Sequence, residues 1–218
     1  MYTDHELTIR PIVEEDLFRL WELIYKDDKP EWKKWDAPYY PHQSKPYEEF
    51  QLTKDQWIGD ESFWVIEVSG IVRGIISYYW EHEPSKWLEM GIVLHEAGSW
   101  GKGIGTRAMK LWINHLFSTM PLVRVGFTTW SGNERMIRVG EKLGMQMEAR
   151  IRKVRYHEGV YYDSIRMGIL REEWENTAMD LDSDIISKKA VSQIKNLTGD
   201  DYIEMNIKFQ SPQCFKNR

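Results

Sequence analysis

The stretch Trp100-Gly101-Lys102-Gly103-Ile104-Gly105-Thr106 stands between a predicted strand from Leu88 to Leu94 and a predicted helix from Ile104 to Phe117. Alternate glycines let backbone amides approach a ligand without interference from Cβ. A helix N-terminus adds unpaired N–H groups and the positive end of its dipole. The run therefore reads as an anion cradle with phosphate as the expected guest. Its spacing excludes two common nucleotide patterns. The dinucleotide fingerprint G-x-G-x-x-G fails at Thr106, and the Walker pattern beginning at Gly98 fails because Ile104 stands where lysine is required.

Upstream, Phe63 to Val68 and Ile71 to Trp80 read as strands around Ser69-Gly70, with Trp87 to Leu94 as the third strand of an antiparallel meander. Glu6 to Pro11 alternates and predicts a first strand. Behind Glu14, Glu15 and Asp16, which suit a helix N-terminus, Leu17, Leu20, Trp21 and Ile24 recur at spacings of three and four as a core-facing stripe. From Asp27 to Pro46, four prolines interleave with Trp32, Trp35, Tyr39 and Tyr40, so an irregular aromatic loop is expected, followed by a helix from Tyr47 to Trp57.

Downstream, Ile104, Ala108, Leu111, Trp112 and His115 share one helical stripe. A strand from Leu122 to Thr128, a short helix around Asn133 to Lys142, and a hairpin of Met145 to His157 and Val160 to Ile169 follow. The main domain is expected to span residues 1–175. In an extension over 176–218, Ile186, Ala190 and Ile194 predict a helix, and Ile203, Met205, Ile207 and Phe209 a strand that either covers this chain's own sheet or adds to the edge of a second copy.

Taken together, Glu89-Met90-Gly91-Ile92-Val93-Leu94, the glycine run, and Asn133 followed by Lys142-Leu143-Gly144-Met145 resemble the GCN5-related N-acetyltransferases (GNAT). The likeness is nearest the Rim-type branch that modifies protein N-termini, and it covers Leu7 to Leu170. It implies an α+β fold: a mixed, mostly antiparallel sheet with one splayed parallel strand pair and flanking helices. It further implies acetyl-CoA as donor, its pyrophosphate gripped by Trp100, Gly101, Lys102, Gly103, Ile104, Gly105 and Thr106. Backbone near Ile92, Val93 and Leu94 would pair with pantetheine as an added strand, and an amide there would stabilise the oxyanion. Asn133 and Lys142 would contact the cofactor, although asparagine at that place reads equally as a helix cap.

Acyl transfer to an amine requires a neutral nucleophile, and an α-amino group near pKa 8 sheds its proton far more readily than a lysine near 10.4. Glu89, which matches an acidic position of Rim-type relatives, is the candidate base or ammonium-attracting group; the alternative is a strand carboxylate facing solvent. His82 and His157 are weaker base candidates. Trp32, Trp35 and Tyr39, with Glu89, are the candidate acceptor-binding residues, and Asp27, Asp28, Glu31 and Asp36 bring negative charge to the same loop. Many relatives carry a proton-donating tyrosine where Gly140 stands, and some carry serine where Met136 stands; neither residue here can donate. Three readings follow: acetylation of a protein or peptide N-terminus, acetylation of a small amine such as a polyamine or aminoglycoside, or CoA binding without turnover by a regulatory protein.

Composition bounds the rest. A net charge of −5 over 218 residues argues against broad nucleic-acid binding, and the cluster from Arg150 to Arg155 reads as a solvated strand. The first residues lack a signal peptide's basic and apolar blocks, and no run is apolar enough to span a bilayer, so a cytoplasmic protein without membrane partners is expected. The six histidines never fall into metal-ligand spacing, so no metal is expected. Cys214 stands alone in a polar tail, which favours direct attack on the thioester over a covalent enzyme intermediate.

Overall fold

The computed structural model, which describes residues 1–177, contains eight strands. They are β1 (Tyr2–Asp4), β2 (Leu7–Pro11), β3 (Phe63–Val68), β4 (Ile71–His82), β5 (Trp87–Leu94), β6 (Arg124–Trp130), β7 (Gln146–His157) and β8 (Val160–Leu170). The helices that position the site are α1 (Leu17–Ile24), α2 (Tyr47–Gln51), α3 (Ile104–Thr119) and α4 (Glu134–Lys142). The sheet runs β1-β2-β3-β4-β5-β6-β8-β7. Every neighbouring pair is antiparallel except β5 and β6. A parallel pair needs a long crossover, and here α3 supplies it.

Both faces of the sheet are covered, because successive side chains of a strand point to opposite faces. Trp64 and Ile66 of β3 join Met109, Trp112 and Leu116 of α3 in one core, whereas Val65 joins Leu17, Leu20 and Ile24 of α1 with Phe50 of α2 in the other. The start of α1 is pinned to β2 by Asp16, which accepts from both Arg10 Nη groups at 2.7 and 2.8 Å and from the Val13 amide at 3.0 Å. Residues Met1–Trp174 form one compact unit. No helix among the described residues is long and apolar enough to cross a membrane. The helix and strand expected beyond residue 177, and Cys214, lie outside the described residues.

The structure differs from the sequence reading at three places. The segment expected to be helical from Tyr47 to Trp57 stops at Gln51, and a separate tight turn follows at Lys54–Gln56. Thr53 draws the chain inward there, its amide and its hydroxyl both donating to the Phe50 carbonyl, a local bond that competes with helix continuation. β6 begins at Arg124 rather than Leu122: Arg171 binds the carbonyls of Phe117, Met120 and Leu122, closing the end of α3 before the strand starts. β1, which was not anticipated, is too short to show a period.

Candidate functional site

The register of β5 with β6 pairs Trp87 with Arg124, Leu88 with Val125 and Glu89 with Gly126, and then ends. Beyond Glu89 the two strands part, although β5 remains paired with β4 through Leu94. A cavity of about 630 Å³ opens at the split, lined by Met90 to Leu94 on one side and Phe127 to Trp130 on the other. The glycine run, α4 and the loop from Trp32 to Tyr39 complete it.

The edge of β5 in this split carries free backbone groups. The His95 amide donates to the Arg73 carbonyl, and antiparallel pairs alternate, so the polar groups of Val93 turn toward β4 while those of Ile92 and Leu94, beyond the last pairing with β6 at Glu89 and Gly126, face the cavity. The Leu94 carbonyl accepts the Trp100 indole N–H at 2.7 Å. Of the three residues expected to pair with pantetheine, Ile92 therefore offers free backbone groups, Leu94 only its amide, and Val93 its side chain. Gly74 permits this geometry, because a Cβ there would collide with the Val93 carbonyl.

At the head of α3, Gly101 and Gly103 take φ of 73° and 79°, left-handed values that suit glycine. Gly103 is the N-cap and supplies no side-chain cap. The first helical bond is made by the Arg107 amide to the Gly103 carbonyl, so the amides of Ile104, Gly105 and Thr106 precede it and are left for a ligand. All the predicted cradle residues line the cavity except Lys102.

Asn133 is a helix cap: its Oδ1 accepts from the Met136 amide at 3.1 Å. Its Nδ2 donates to the Trp35 carbonyl, which also accepts the Trp130 indole N–H, both at 3.0 Å. The aromatic loop is thereby latched over the cavity, and Trp32 secures its root by donating to the Leu23 carbonyl at 3.0 Å. Arg135 stacks on the rings of Trp35 and Trp100, 4.2 and 5.1 Å from their centroids. With Arg138 and Lys142, which also line the cavity, it forms a cationic stripe at i, i+3 and i+7 of α4. Sequence reasoning found Lys142 alone; the helical spacing of the two arginines was the available signal. Gly140 faces the core, where a Cβ would press on Met167 and Phe127.

Glu89 does not face solvent. It is 1% exposed and outside the cavity lining, at the apex of the split. The half-exposed Tyr79 hydroxyl donates to its Oε2 at 2.8 Å, and Arg166 Nη1 lies 3.6 Å from its Oε1. Burial, then donation to this carboxylate, pushes the Tyr79 phenol well above its ordinary range, so it remains a donor. Neither His82 nor His157 lines the cavity, and of the loop carboxylates only Asp36 does. Asp28 instead accepts from the Ser44 hydroxyl and amide, which lowers its pKa. His95 is buried behind the Trp32 ring, and loss of solvation lowers its pKa to about 3.

A sheet split beside a glycine-led helix is matched by a family profile: that of the acetyltransferase (GNAT) domain aligns with residues 6–146. The chain belongs to the GNAT family. It is an acetyl-CoA-dependent N-acetyltransferase with the α+β GNAT fold. Among curated proteins, it is 27% identical over 177 residues to the SPbeta prophage-derived uncharacterized N-acetyltransferase YokL of Bacillus subtilis, covering 80% of this chain and 95% of that one. It is 25% identical to the spermidine N(1)-acetyltransferase of Escherichia coli K12, covering 80% and 91%. YdaF of Bacillus subtilis, whose name includes the words ribosomal N-acetyltransferase, is 30% identical over 49% of this GNAT chain and 57% of its own length. In fold, the spermidine N-acetyltransferase of Vibrio cholerae, solved with CoA and spermine, superposes with a TM-score of 0.65 at 17% identity, over 78% of this chain and 99% of that one.

Proposed function

We propose that this GNAT enzyme acetylates the α-amino group of a protein or peptide N-terminus. The observation that carries this reading is the charge of the site. Among the residues lining the cavity, Asp36 is the one carboxylate. The carboxylate at the apex, Glu89, is already engaged by Tyr79 and Arg166. A polyamine carries several ammonium groups, each needing a counter-charge when it leaves water, whereas an N-terminus brings one.

In this reading the amides of Ile104, Gly105 and Thr106 and the stripe Arg135, Arg138, Lys142 hold the phosphates, and the free edge at Ile92 and Leu94 holds the pantetheine arm. Bound there, acetyl-CoA supplies an activated thioester carbonyl. The neutral amine forms the new C–N bond, the C–S bond breaks, and the thiolate leaves with its electron pair. Glu89, which lies behind the cavity lining, takes the proton released by the amine through water, while Tyr79 fixes the carboxylate by its hydrogen bond. Gly140 and Met136 cannot return a proton to sulfur; the cavity offers the hydroxyls of Tyr39, Ser99, Thr106, Thr128 and Thr129 instead.

The test is mass spectrometry of products after incubation with acetyl-CoA and a panel of peptide N-termini, spermidine, spermine and aminoglycosides. Acetylated peptide α-amines are expected. Acetylation confined to polyamines or aminoglycosides would overturn the acceptor assignment, and saturable acetyl-CoA binding with no product from any amine would point to a CoA-binding regulator.

A further inference from the structure

The cluster from Arg150 to Arg155, which its sequence marks as a solvated strand, is divided by the fold. Arg150 lies 2.6 Å from an Asp163 oxygen, and Asp163 also accepts the Lys153 amide. The register of β7 with β8 then shifts: Ile151 faces Ser164 but Arg155 faces Tyr162, so four residues of β7 span two of β8. Lys153 takes a φ of 54° within this bulge. Bulges re-aim side chains, and this one sends Arg155 over the ring of Tyr39, 5.2 Å from its centroid. Tyr39 lines the cavity and packs edge-on to Trp130, whose ring in turn meets Tyr162 at 4.7 Å.

Arg155 is half-buried, and its Nε is sealed from solvent without a hydrogen-bond partner among the described residues. One Nη donates weakly to the Val154 carbonyl at 3.3 Å. By contrast, Arg10, Arg107, Arg124 and Arg166 each face a carboxylate, and no described carboxylate pairs with Arg155. Arg155 itself stands just outside the cavity lining, behind Tyr39, and a partly desolvated guanidinium held on such a ring is a fork prepared for an anion.

We infer that Arg155, on the shelf of Tyr39, is an anion subsite of the acceptor cleft, and that the acceptor peptide carries an acidic side chain near its N-terminus. This rests on the N-terminal reading above. Glu89 pairs with Gly126, and Gly126 with Gly168; from Gly168 back to Tyr162, the partner of Arg155, six residues of strand span about 20 Å. An extended peptide rises about 3.3 Å per residue, so the acidic position falls among roughly its first six residues.

The test measures kcat/KM for one peptide scaffold in which glutamate is moved through positions two to six, against its glutamine and lysine counterparts and spermidine, with the intact chain and with Arg155→Gln and Arg155→Lys. The expected result is a preference for glutamate over glutamine of about five- to tenfold at one or two positions, the size of a part-exposed charged hydrogen bond. It should collapse toward unity in Arg155→Gln and recover in part in Arg155→Lys. Equal rates on all the peptides would overturn the subsite and leave the N-terminal function standing. Acetylation of spermidine alone would overturn both. A preference that survives in Arg155→Gln, or a loss of acetyl-CoA affinity in that variant, would take Arg155 out of acceptor recognition.

Discussion

Replacing Gly105 by alanine should move the fold and the ligand in opposite directions. Gly105 is the second residue of α3, outside the positive-φ region, and a Cβ there would find Leu94 Cδ1 at 3.9 Å as its nearest neighbour, an ordinary contact. Alanine is favoured over glycine by about 1 kcal/mol inside a helix, so a gain of roughly 0.5–1 kcal/mol is expected near this terminus. In a domain of this size that raises the unfolding midpoint by about 1–4 °C. The added methyl, however, stands on a cavity-lining residue between the leading amides of the helix. A hydrogen bond from an amide to a charged group contributes about 1.5–3 kcal/mol, so displacement of one phosphate contact weakens acetyl-CoA binding roughly 10- to 150-fold. Circular dichroism against temperature reads the first effect and calorimetric titration with acetyl-CoA the second. A stabilised variant whose affinity stays within about twofold would refute the cradle, since no loss of structure could be blamed.

Gly103→Val should weaken acetyl-CoA as well, but with loss of stability of roughly 1–2 kcal/mol, because its φ of 79° is costly for a side chain; unchanged affinity in the folded variant would count against the same cradle. Glu89→Gln should lower kcat about a hundredfold or more while leaving the acetyl-CoA dissociation constant in place, and equal turnover would remove its assigned role. Asn133→Ala deletes the α4 cap, a loss of about 1 kcal/mol, and one of two bonds to the Trp35 carbonyl, so amide exchange in the loop from Trp32 to Tyr39 should quicken; unaltered exchange would mean that Trp130 alone holds the latch. His95, with its pKa near 3 when folded, stays neutral where the unfolded chain takes up a proton. Stability is therefore full above about pH 6.5 and falls by up to about 1.4 kcal/mol per unit as pH drops below it. His115, lowered by burial, acts in the same direction. Denaturant titrations from pH 7 to 5 should show the slope, and His95→Leu should flatten it.

The sequence carried the frame of this protein because its signals are local. Glycine spacing, the apolar stripe of α3 and the alternation of β3 to β5 each report on neighbouring residues, and together they marked the glycine cradle, the strand ending at Leu94 and the helix headed by Asn133. What depends on strand partners was not legible. Glu89 gave no sign of being buried under Tyr79 and Arg166, which lie ten and seventy-seven residues away. The aromatic loop gave no sign that the Trp35 carbonyl would be its latch, since both donors come from beyond residue 129.

The division is sharpest at the glycine run and at Arg155. Torsional freedom and helix-terminal amides are properties of a few consecutive residues, so the sequence by itself marked Gly101 to Thr106 as the candidate anion cradle. Which backbone edge opens beside that cradle, and which of the clustered arginines is laid on the Tyr39 ring, were decided by the parting of β5 from β6 and the two-residue bulge of β7. Both are long-range pairings, and only the folded sheet fixes them.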